Sequence, residues 1–208
     1  AKMVTGREIA SVQELKDEGF TDIIVAIGAW AHGRKALKYG DEYDALEFLE
    51  KVKAAPGSID LGTDVVVIGG GNTAMDACRT AIRLGAKDVF VVYRRTRNEM
   101  PADDIEIVEA EEEGVKFKFL CAPDETSGAD GRVAGMRLQV MELGEPDERG
   151  RRRPVPVEGR FEEIRLDSVI AAIGQKNDPD GFADLPQTKW GTIAADVCNF
   201  ATAIPGVF

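Results

Sequence analysis

Residues 65–76 read Val-Val-Val-Ile-Gly-Gly-Gly-Asn-Thr-Ala-Met-Asp, an apolar run that passes into three glycines and then into a helical pattern. Gly69, Gly71 and Ala74 occupy the small-residue positions of the G-x-G-x-x-G/A pattern. The first permits a tight turn, the second lets the backbone approach a diphosphate, and the third lets the helix pack closely on its strand. The N–H groups at the start of such a helix favour an anion. This stretch therefore predicts a dinucleotide-binding turn, and the alternative is a glycine-rich connection that binds nothing.

The sequence on either side of the glycine turn favours an α/β fold. An unbroken apolar strand is typical of a parallel sheet that is covered on both faces. Downstream, Ala77, Cys78 and Ala81 repeat at helical spacing, and Gly85 occupies the position of a C-terminal cap. Residues 89–92 then supply a second apolar strand. The order strand, helix, strand predicts a Rossmann-like domain built on a parallel sheet.

The end of the second strand carries arginines where a carboxylate is common. Residues 93–97 read Tyr-Arg-Arg-Thr-Arg, and the first acid after them is Glu99. An NAD site usually places Asp or Glu here, to accept hydrogen bonds from the ribose 2′-hydroxyl. Arg94 and Arg95 instead offer planar, always charged donors that suit a phosphate dianion. We therefore expect NADPH to be preferred over NADH, and the alternative is a solvated basic turn on an acidic protein.

Further helices and strands are expected around this unit. Ser11 and Asp44 can each cap a helix, and a very acidic helix is expected to end at Gly114. Residues 144–150 have turn chemistry throughout, so the strand before them is expected to pair with the segment after them, through Val157, as an antiparallel hairpin. Strands are expected at 21–27, 115–120, 132–143, 161–166 and 168–173, and a loop at 29–43.

The composition excludes several classes of function. With a net charge of -11, nucleic acid and anionic membrane surfaces are not expected as partners. No apolar run approaches the ~20 residues of a membrane span, and no signal peptide is visible. Cys78, Cys121 and Cys198 are far apart and form no C-x-x-C pair, so the sequence shows no signature of a metal site or iron–sulfur cluster. Separated thiols fit a reducing compartment, and we expect a cytoplasmic protein.

Four motifs occur together and in order: the glycine stretch at 69–76, Tyr-Arg-Arg-Thr-Arg at 93–97, Glu-Met-Pro-Ala at 99–102 and Ala-Ile-Gly at 172–174. On these motifs the chain resembles the NADPH-binding domain of glutamate synthase small-subunit-type flavoproteins, a group that includes the corresponding part of dihydropyrimidine dehydrogenase. Residues 143–154, which read Leu-Gly-Glu-Pro-Asp-Glu-Arg-Gly-Arg-Arg-Arg-Pro, are most similar to selenate reductase-type iron–sulfur flavoproteins.

The resemblance implies an NADPH-binding domain inserted into an FAD domain. Residues 1–43 would then be a remnant of the FAD domain with the first crossover, 44–175 the NADPH-binding domain, and 176–208 the second crossover with the start of the returning FAD segment. It also implies hydride transfer from NADPH to FAD, and onward transfer to iron–sulfur centres. The implied partners are the FAD domain and an iron–sulfur domain or subunit. The chain by itself is expected to bind nucleotide without completing electron transfer.

The resemblance further implies roles for individual residues. The backbone N–H groups of the turn would hold the pyrophosphate, at Gly69, Gly70, Gly71, Asn72 and Thr73. Arg94 and Arg95 would grip the 2′-phosphate, with Arg97 as a weaker third candidate. Gly174 would let the nicotinamide half pass close to the backbone. No residue of this chain is expected to be catalytic, because the cofactors supply the reactivity.

Two other functions remain open from the sequence. The first is a free-standing NADP-dependent dehydrogenase, which would need its own proton donor. A Tyr-x-x-x-Lys pair is absent, since Tyr39 is followed four residues later by Tyr43, Tyr43 by Glu47, and Tyr93 by Arg97. The second is a non-catalytic nucleotide-binding module, against which the complete sets of glycines and arginines argue.

Overall fold

The computed structural model describes residues 2–29, 31–32, 42–146, 150–178 and 182–208. Its contacts divide the chain into two compact units. The terminal unit comprises Ala1–Gly33 with Gln175–Phe208, and the central unit comprises Arg34–Gly174. In chain order the elements are α1 (Val12–Asp17), β1 (Ala31–His32), β2 (Glu42–Asp44), α2 (Ala45–Ala54), β3 (Asp64–Ile68), α3 (Asn72–Arg83), β4 (Asp88–Tyr93), a 3₁₀ turn (Arg97–Glu99), α4 (Asp104–Glu112), β5 (Lys116–Phe119), β6 (Cys121–Ala129), β7 (Arg132–Pro146), β8 (Arg152–Arg165), β9 (Ser168–Ala171) and β10 (Gln175–Lys176).

The central unit is built on a five-stranded parallel sheet of order β2-β9-β3-β4-β5. Successive side chains of β3 belong to two different cores, as the period of two along a strand requires. Val65 and Val67 pack into a core that contains buried residues of α2, α3 and α4. Val66 packs into a second core with residues of the β6-β7-β8 sheet, including Leu138. Both faces of the parallel sheet are therefore covered, and the expected Rossmann-like architecture is confirmed.

The helices begin and end where the sequence predicts. Ser11 Oγ accepts a hydrogen bond from Glu14 N at 3.2 Å, which caps α1. Asp44 caps α2 by accepting from Leu46 N at 3.0 Å. Gly85 has φ +102° and its N–H donates to Ile82 O, so α3 ends on a left-handed glycine.

The antiparallel part is larger than the sequence predicted. The expected hairpin is confirmed as β7 paired with β8. However, β8 is a single strand with a register shift, rather than two strands. The sequence analysis also missed β6, which pairs with the other edge of β7. Its sequence, Cys-Ala-Pro-Asp-Glu-Thr-Ser-Gly-Ala, contains proline and glycine and lacks apolar alternation, so its strand conformation depends on pairing with β7.

The terminal unit contains α1 and the short β1-β10 pair, around a small core of Val12, Ile23, Leu185 and Val207. The strand expected at 21–27 is wrong, because Ile23 forms only an isolated parallel bridge with Val207. A strand requires a neighbour along its length, and the backbone hydrogen bonds seen between this segment and other described residues go to residues 206–208. The loop expected at 29–43 is wrong in part, since β1 and β2 lie within it, and residues 30 and 33–41 lie outside the described residues. Within the described part of the chain, every helix is too short or too polar to cross a bilayer.

Candidate functional site

The glycine turn leaves β3 at the carboxyl edge of the parallel sheet and is fixed between the two neighbouring strands. Gly69 N donates to Val92 O of β4 at 3.1 Å. Gly69 has φ +146°, and an added Cβ would lie 2.3 Å from the carbonyl oxygen of Ala172. Only glycine fits this position, as the sequence pattern predicted. In open α/β sheets, ligands bind outside the carboxyl ends of the strands, where this turn lies.

The next two glycines differ in their surroundings. An added Cβ on Gly70 would meet the ring of Tyr93 at 2.6 Å, so Gly70 is needed for packing. An added Cβ on Gly71 would have Pro101 as its nearest neighbour, in ordinary van der Waals contact at 3.9 Å, so an extra atom fits there without a clash. A glycine at this position of the turn lets a diphosphate approach the backbone.

The start of α3 presents an uncapped helix end at this turn. Gly71 is the N-cap residue, no side chain caps the helix, and the first turn contains no acid. The positive end of the helix dipole and the first N–H groups are thus oriented toward the glycine turn. Ala74 is fully buried against the core, which is the close packing predicted for the third small position.

The three arginines after β4 have three different environments. Arg94 is exposed, and within the described residues it has no hydrogen bond or ion pair. Arg95 is only 8% exposed, and its Nε donates to the carbonyl oxygen of Arg152 at 2.9 Å. Arg97 forms an ion pair with Glu111 of α4. The structure therefore leaves Arg94 available to a ligand, anchors Arg95 on β8, and engages Arg97 elsewhere.

Arg95 is a positively charged residue that is buried. A guanidinium offers five N–H donors, and the one described bond uses Nε alone. No acid pairs with Arg95 among the residues that the structure describes.

Sequence reasoning missed three residues at the site, Tyr93, Pro101 and Asp103, and the contact between Asp103 and Asn72. The ring of Tyr93 lies against Gly70, and Pro101 is the nearest neighbour of the Gly71 position. The Asn72 side chain forms hydrogen bonds with the carboxylate and with the backbone N–H of Asp103. The Glu-Met-Pro-Ala motif at 99–102 was the available signal, but the sequence did not reveal that it packs on the turn.

The remaining predicted residues lie further along the chain. Thr73 is half-buried in the first turn of α3. Gly174 follows β9 and has φ +112°, with no atom within 4 Å of an added Cβ. Arg152 donates to Leu143 O at 2.7 Å and to Gly144 O at 3.0 Å, so its guanidinium stabilises the β7-β8 hairpin.

The cysteines of the chain are separate thiols. Cys78 and Cys121 are buried and Cys198 is exposed, and none of the three forms a disulfide. Burial raises the pKa of the Cys78 thiol to about 12, so this side chain stays protonated at neutral pH and acts as a core residue. Among the described residues, no group of three or more His, Cys, Asp or Glu side chains could hold a metal ion.

Comparison with known proteins gives consistent matches. A family model described as "Pyridine nucleotide-disulphide oxidoreductase" matches residues 2–208. The chain is 41% identical over 193 residues to the NADP(+)-dependent formate dehydrogenase subunit beta of Moorella thermoacetica, covering 89% of this chain and 27% of that protein. It is 38% identical over 195 residues to the glutamate synthase (NADPH) small chain of Azospirillum brasilense, covering 91% and 38%. The chain thus spans less than two thirds of the length of either relative.

A solved structure shares the fold at lower sequence identity. FprA from Mycobacterium tuberculosis superposes with a TM-score of 0.74 at 21% identity. The superposition covers 95% of this chain and 59% of that one. Each of the two units therefore shares the fold of a part of FprA.

Proposed function

Because the chain belongs to the pyridine nucleotide-disulphide oxidoreductase family, we propose that its central unit binds NADPH and presents it to a flavin. The expected resemblance to glutamate synthase small-subunit-type proteins is confirmed by the relatives. Both relatives described above carry NADP(H) in their names. The finer likeness to selenate reductase-type proteins stays a prediction.

The observation that carries the proposal is the glycine turn at the uncapped end of α3, where an added Cβ on Gly71 would meet no atom closer than 3.9 Å. There, the backbone N–H groups of the turn would hold the diphosphate, from Gly69, Gly70, Gly71, Asn72 and Thr73. Ala74 contributes by letting α3 approach the sheet. Since β3 and β4 are neighbours in the sheet, the arginines that follow β4 lie next to the turn that follows β3. This is the side on which the adenosine ribose lies in a Rossmann fold.

We assign the 2′-phosphate chiefly to Arg94, because it is exposed and has no described partner. Arg95 would also bind the 2′-phosphate, through the guanidinium N–H groups that do not donate to Arg152. Arg97 is the weakest of the three candidates, because binding a phosphate would require it to leave Glu111. Gly174 would lie along the nicotinamide half, where its lack of a side chain allows close approach.

The proposed division of the protein follows the resemblance. Residues 44–175 form the NADPH-binding domain, and residues 1–43 and 176–208 belong to an FAD domain. NADPH would supply a hydride, FAD would accept it, and iron–sulfur centres of the intact protein would receive the electrons. This chain's own residues bind and orient the nucleotide, so we expect the chain alone to bind NADPH without turnover. A cytoplasmic location also stays a prediction.

Calorimetric titration of NADPH, NADH and 2′-phospho-AMP tests the proposal. Two charge-assisted hydrogen bonds of ~1.5–3 kcal/mol each predict that NADPH binds roughly a hundredfold or more tighter than NADH. Arg94→Ala should remove most of this preference, and adding Arg95→Ala should remove the rest. Affinity for NADH should change little, because neither side chain contacts the diphosphate. Raising the salt concentration should weaken NADPH more than NADH, as expected for an exposed ionic contact.

Arg153→Ala is the matched control, because Arg153 is also exposed and the substitution removes the same charge. It should leave the preference for NADPH intact. Equal binding of NADPH and NADH by the parent protein, or equal losses in Arg94→Ala and Arg153→Ala, would contradict the assignment. Turnover of a small alcohol or carbonyl substrate without added flavin would instead favour a free-standing dehydrogenase.

A further inference from the structure

Residues 93–103, here called the clasp, connect the end of β4 to the start of α4 and lie on the glycine turn. Met100 and Ala102 are buried in the same core as α3. Ala102 N donates to Gly70 O at 3.1 Å, which joins the clasp directly to the turn. Arg94 is part of this segment, so the clasp carries the arginine proposed to bind the 2′-phosphate.

Two hydrogen bonds between Asn72 and Asp103 hold the end of the clasp that precedes α4. Asn72 Nδ2 donates to Asp103 Oδ2 at 3.0 Å, and Asp103 N donates to Asn72 Oδ1 at 2.9 Å. Asp103 is the N-cap residue of α4, yet its carboxylate makes no hydrogen bond to that helix. An aspartate at this position usually caps its own helix. Here the carboxylate instead contacts the first residue of α3, which is part of the turn's own helix.

Tyr93 holds the end of the clasp that follows β4. Its ring lies against Gly70, where an added Cβ would be 2.6 Å away. Its hydroxyl donates to Glu99 O at 2.7 Å. The Glu99 carboxylate accepts in turn from Thr96 N at 3.1 Å, which closes a capping box. The residues on both sides of Arg94 are therefore tied to each other and to the glycine turn.

We propose that Tyr93, Asn72 and Asp103 are positioning residues that fix the distance between Arg94 and the diphosphate-binding turn. This inference rests on the proposed function. The diphosphate and the 2′-phosphate belong to one molecule, so a site that grips both depends on the spacing of its two halves. A pre-formed spacing avoids the cost of ordering a loop on binding. The clasp thereby sets the preference for NADPH without contacting the nucleotide through these side chains.

The test compares Asn72→Ala, Tyr93→Phe and Asp103→Asn in the titration of NADPH and NADH. Asn72→Ala keeps the backbone N–H and removes both bonds to Asp103. Tyr93→Phe keeps the ring and removes only the bond to Glu99. Tyr93→Phe should reduce the ratio of NADPH to NADH affinity by about fivefold, the effect of roughly one hydrogen bond, and Asn72→Ala, which removes two, should reduce it by at least that much. Asp103→Asn should retain the parent ratio, because its amide oxygen can still accept from Asn72. Melting temperature is followed in parallel.

The outcomes separate this inference from the proposed function. If the parent protein binds NADPH and NADH equally, this result contradicts the proposed function. A parent that prefers NADPH, with the preference unchanged in Asn72→Ala and Tyr93→Phe, overturns the inference alone. Equal weakening of NADPH and NADH also overturns it, since that result indicates general destabilisation. If Asn72→Ala fails to fold, Tyr93→Phe decides the question, because it removes a single hydroxyl.

Discussion

The central and terminal units differ in how completely they bury their apolar residues. In the central unit, each side of the parallel sheet has its own buried core. Among its described residues, the terminal unit has four buried hydrophobic residues, and many of its large apolar side chains are exposed. The exposed ones are Met3, Val4, Phe20, Ile24, Trp190, Val197, Phe200 and Phe208.

The comparison of the two units indicates that packing on both faces of the parallel sheet positions the glycine turn. Gly69 is wedged against a neighbouring strand, and Ala74 is held in the helical core. The terminal unit has no comparable layer on either side of residues 21–27 among the parts that are described. Rigidity is therefore expected to be concentrated where the nucleotide is proposed to bind.

The largest effect is expected from emptying the central core. Phe48 of α2 is fully buried, and Phe48→Ala should lower the free energy of unfolding of the central unit by about 3–5 kcal/mol. The matched change in the terminal unit is Leu185→Ala, which should cost about 2–3 kcal/mol, because a leucine side chain is smaller and lies in a smaller core. Hydrogen exchange measures both units at once. Loss of protection in β3 and β4 upon Leu185→Ala would show that the two units unfold together. That result would contradict the proposed difference between the units.

A smaller effect is expected from closing the glycine turn. Gly69→Ala places a Cβ 2.3 Å from Ala172 O on a residue with positive φ, so roughly 2–4 kcal/mol of stability should be lost. Gly71→Ala is the control, because its φ of -97° suits alanine and an added Cβ would meet no atom closer than 3.9 Å. It should change stability by less than about 0.5 kcal/mol yet weaken NADPH strongly, since its methyl group would lie where the diphosphate is proposed to bind. Urea unfolding and titration separate the two; full NADPH affinity in Gly71→Ala would place the diphosphate elsewhere.

The same contrast explains what the sequence could predict. Gly69, Gly71 and Ala74 follow a local pattern, whose turn and helix the parallel sheet holds in place, and the structure places them as expected. Caps such as Ser11 and Asp44 also depend on neighbours within three residues, so they were predictable. Local chemistry is sufficient where a residue's partners are close along the chain.

The failures concern partners that are distant in sequence. Nothing in residues 121–129 indicates a strand, because β7 supplies the hydrogen bonds that make it one. The burial of Arg95 depends on the carbonyl of Arg152, 57 residues away. Likewise, the bonds between Asn72 and Asp103 span 31 residues. The sequence thus predicted which residue types surround the site, whereas the arrangement of the arginines required the tertiary structure.

The smallest effect is expected from removing the charge of Asp167, whose hydrogen bonds join the start of β3 to the start of β9. This effect depends on pH. The Asp167 carboxylate accepts from Thr63 N at 2.7 Å and Asp64 N at 3.0 Å, and these bonds lower its pKa. Since its pKa in the folded state lies below that in the unfolded chain, the stabilisation is present above about pH 4 and is lost as pH falls through the folded value. Asp167→Asn should therefore cost at most about 1 kcal/mol at pH 7, because the residue is exposed. The difference from the parent should shrink in urea unfolding below pH 4.

Asp196 in the terminal unit is the control, because hydrogen bonds to an aspartate lower its pKa as well. Its carboxylate accepts from the N–H groups of Cys198 and Asn199, only two and three residues away. Asp196→Asn should loosen that turn and leave the unfolding of the central unit unchanged at every pH, because it joins no distant segments. If it lowers the stability of the central unit as much as Asp167→Asn does, then the long-range attachment of β3 to β9 is not what the charge stabilises.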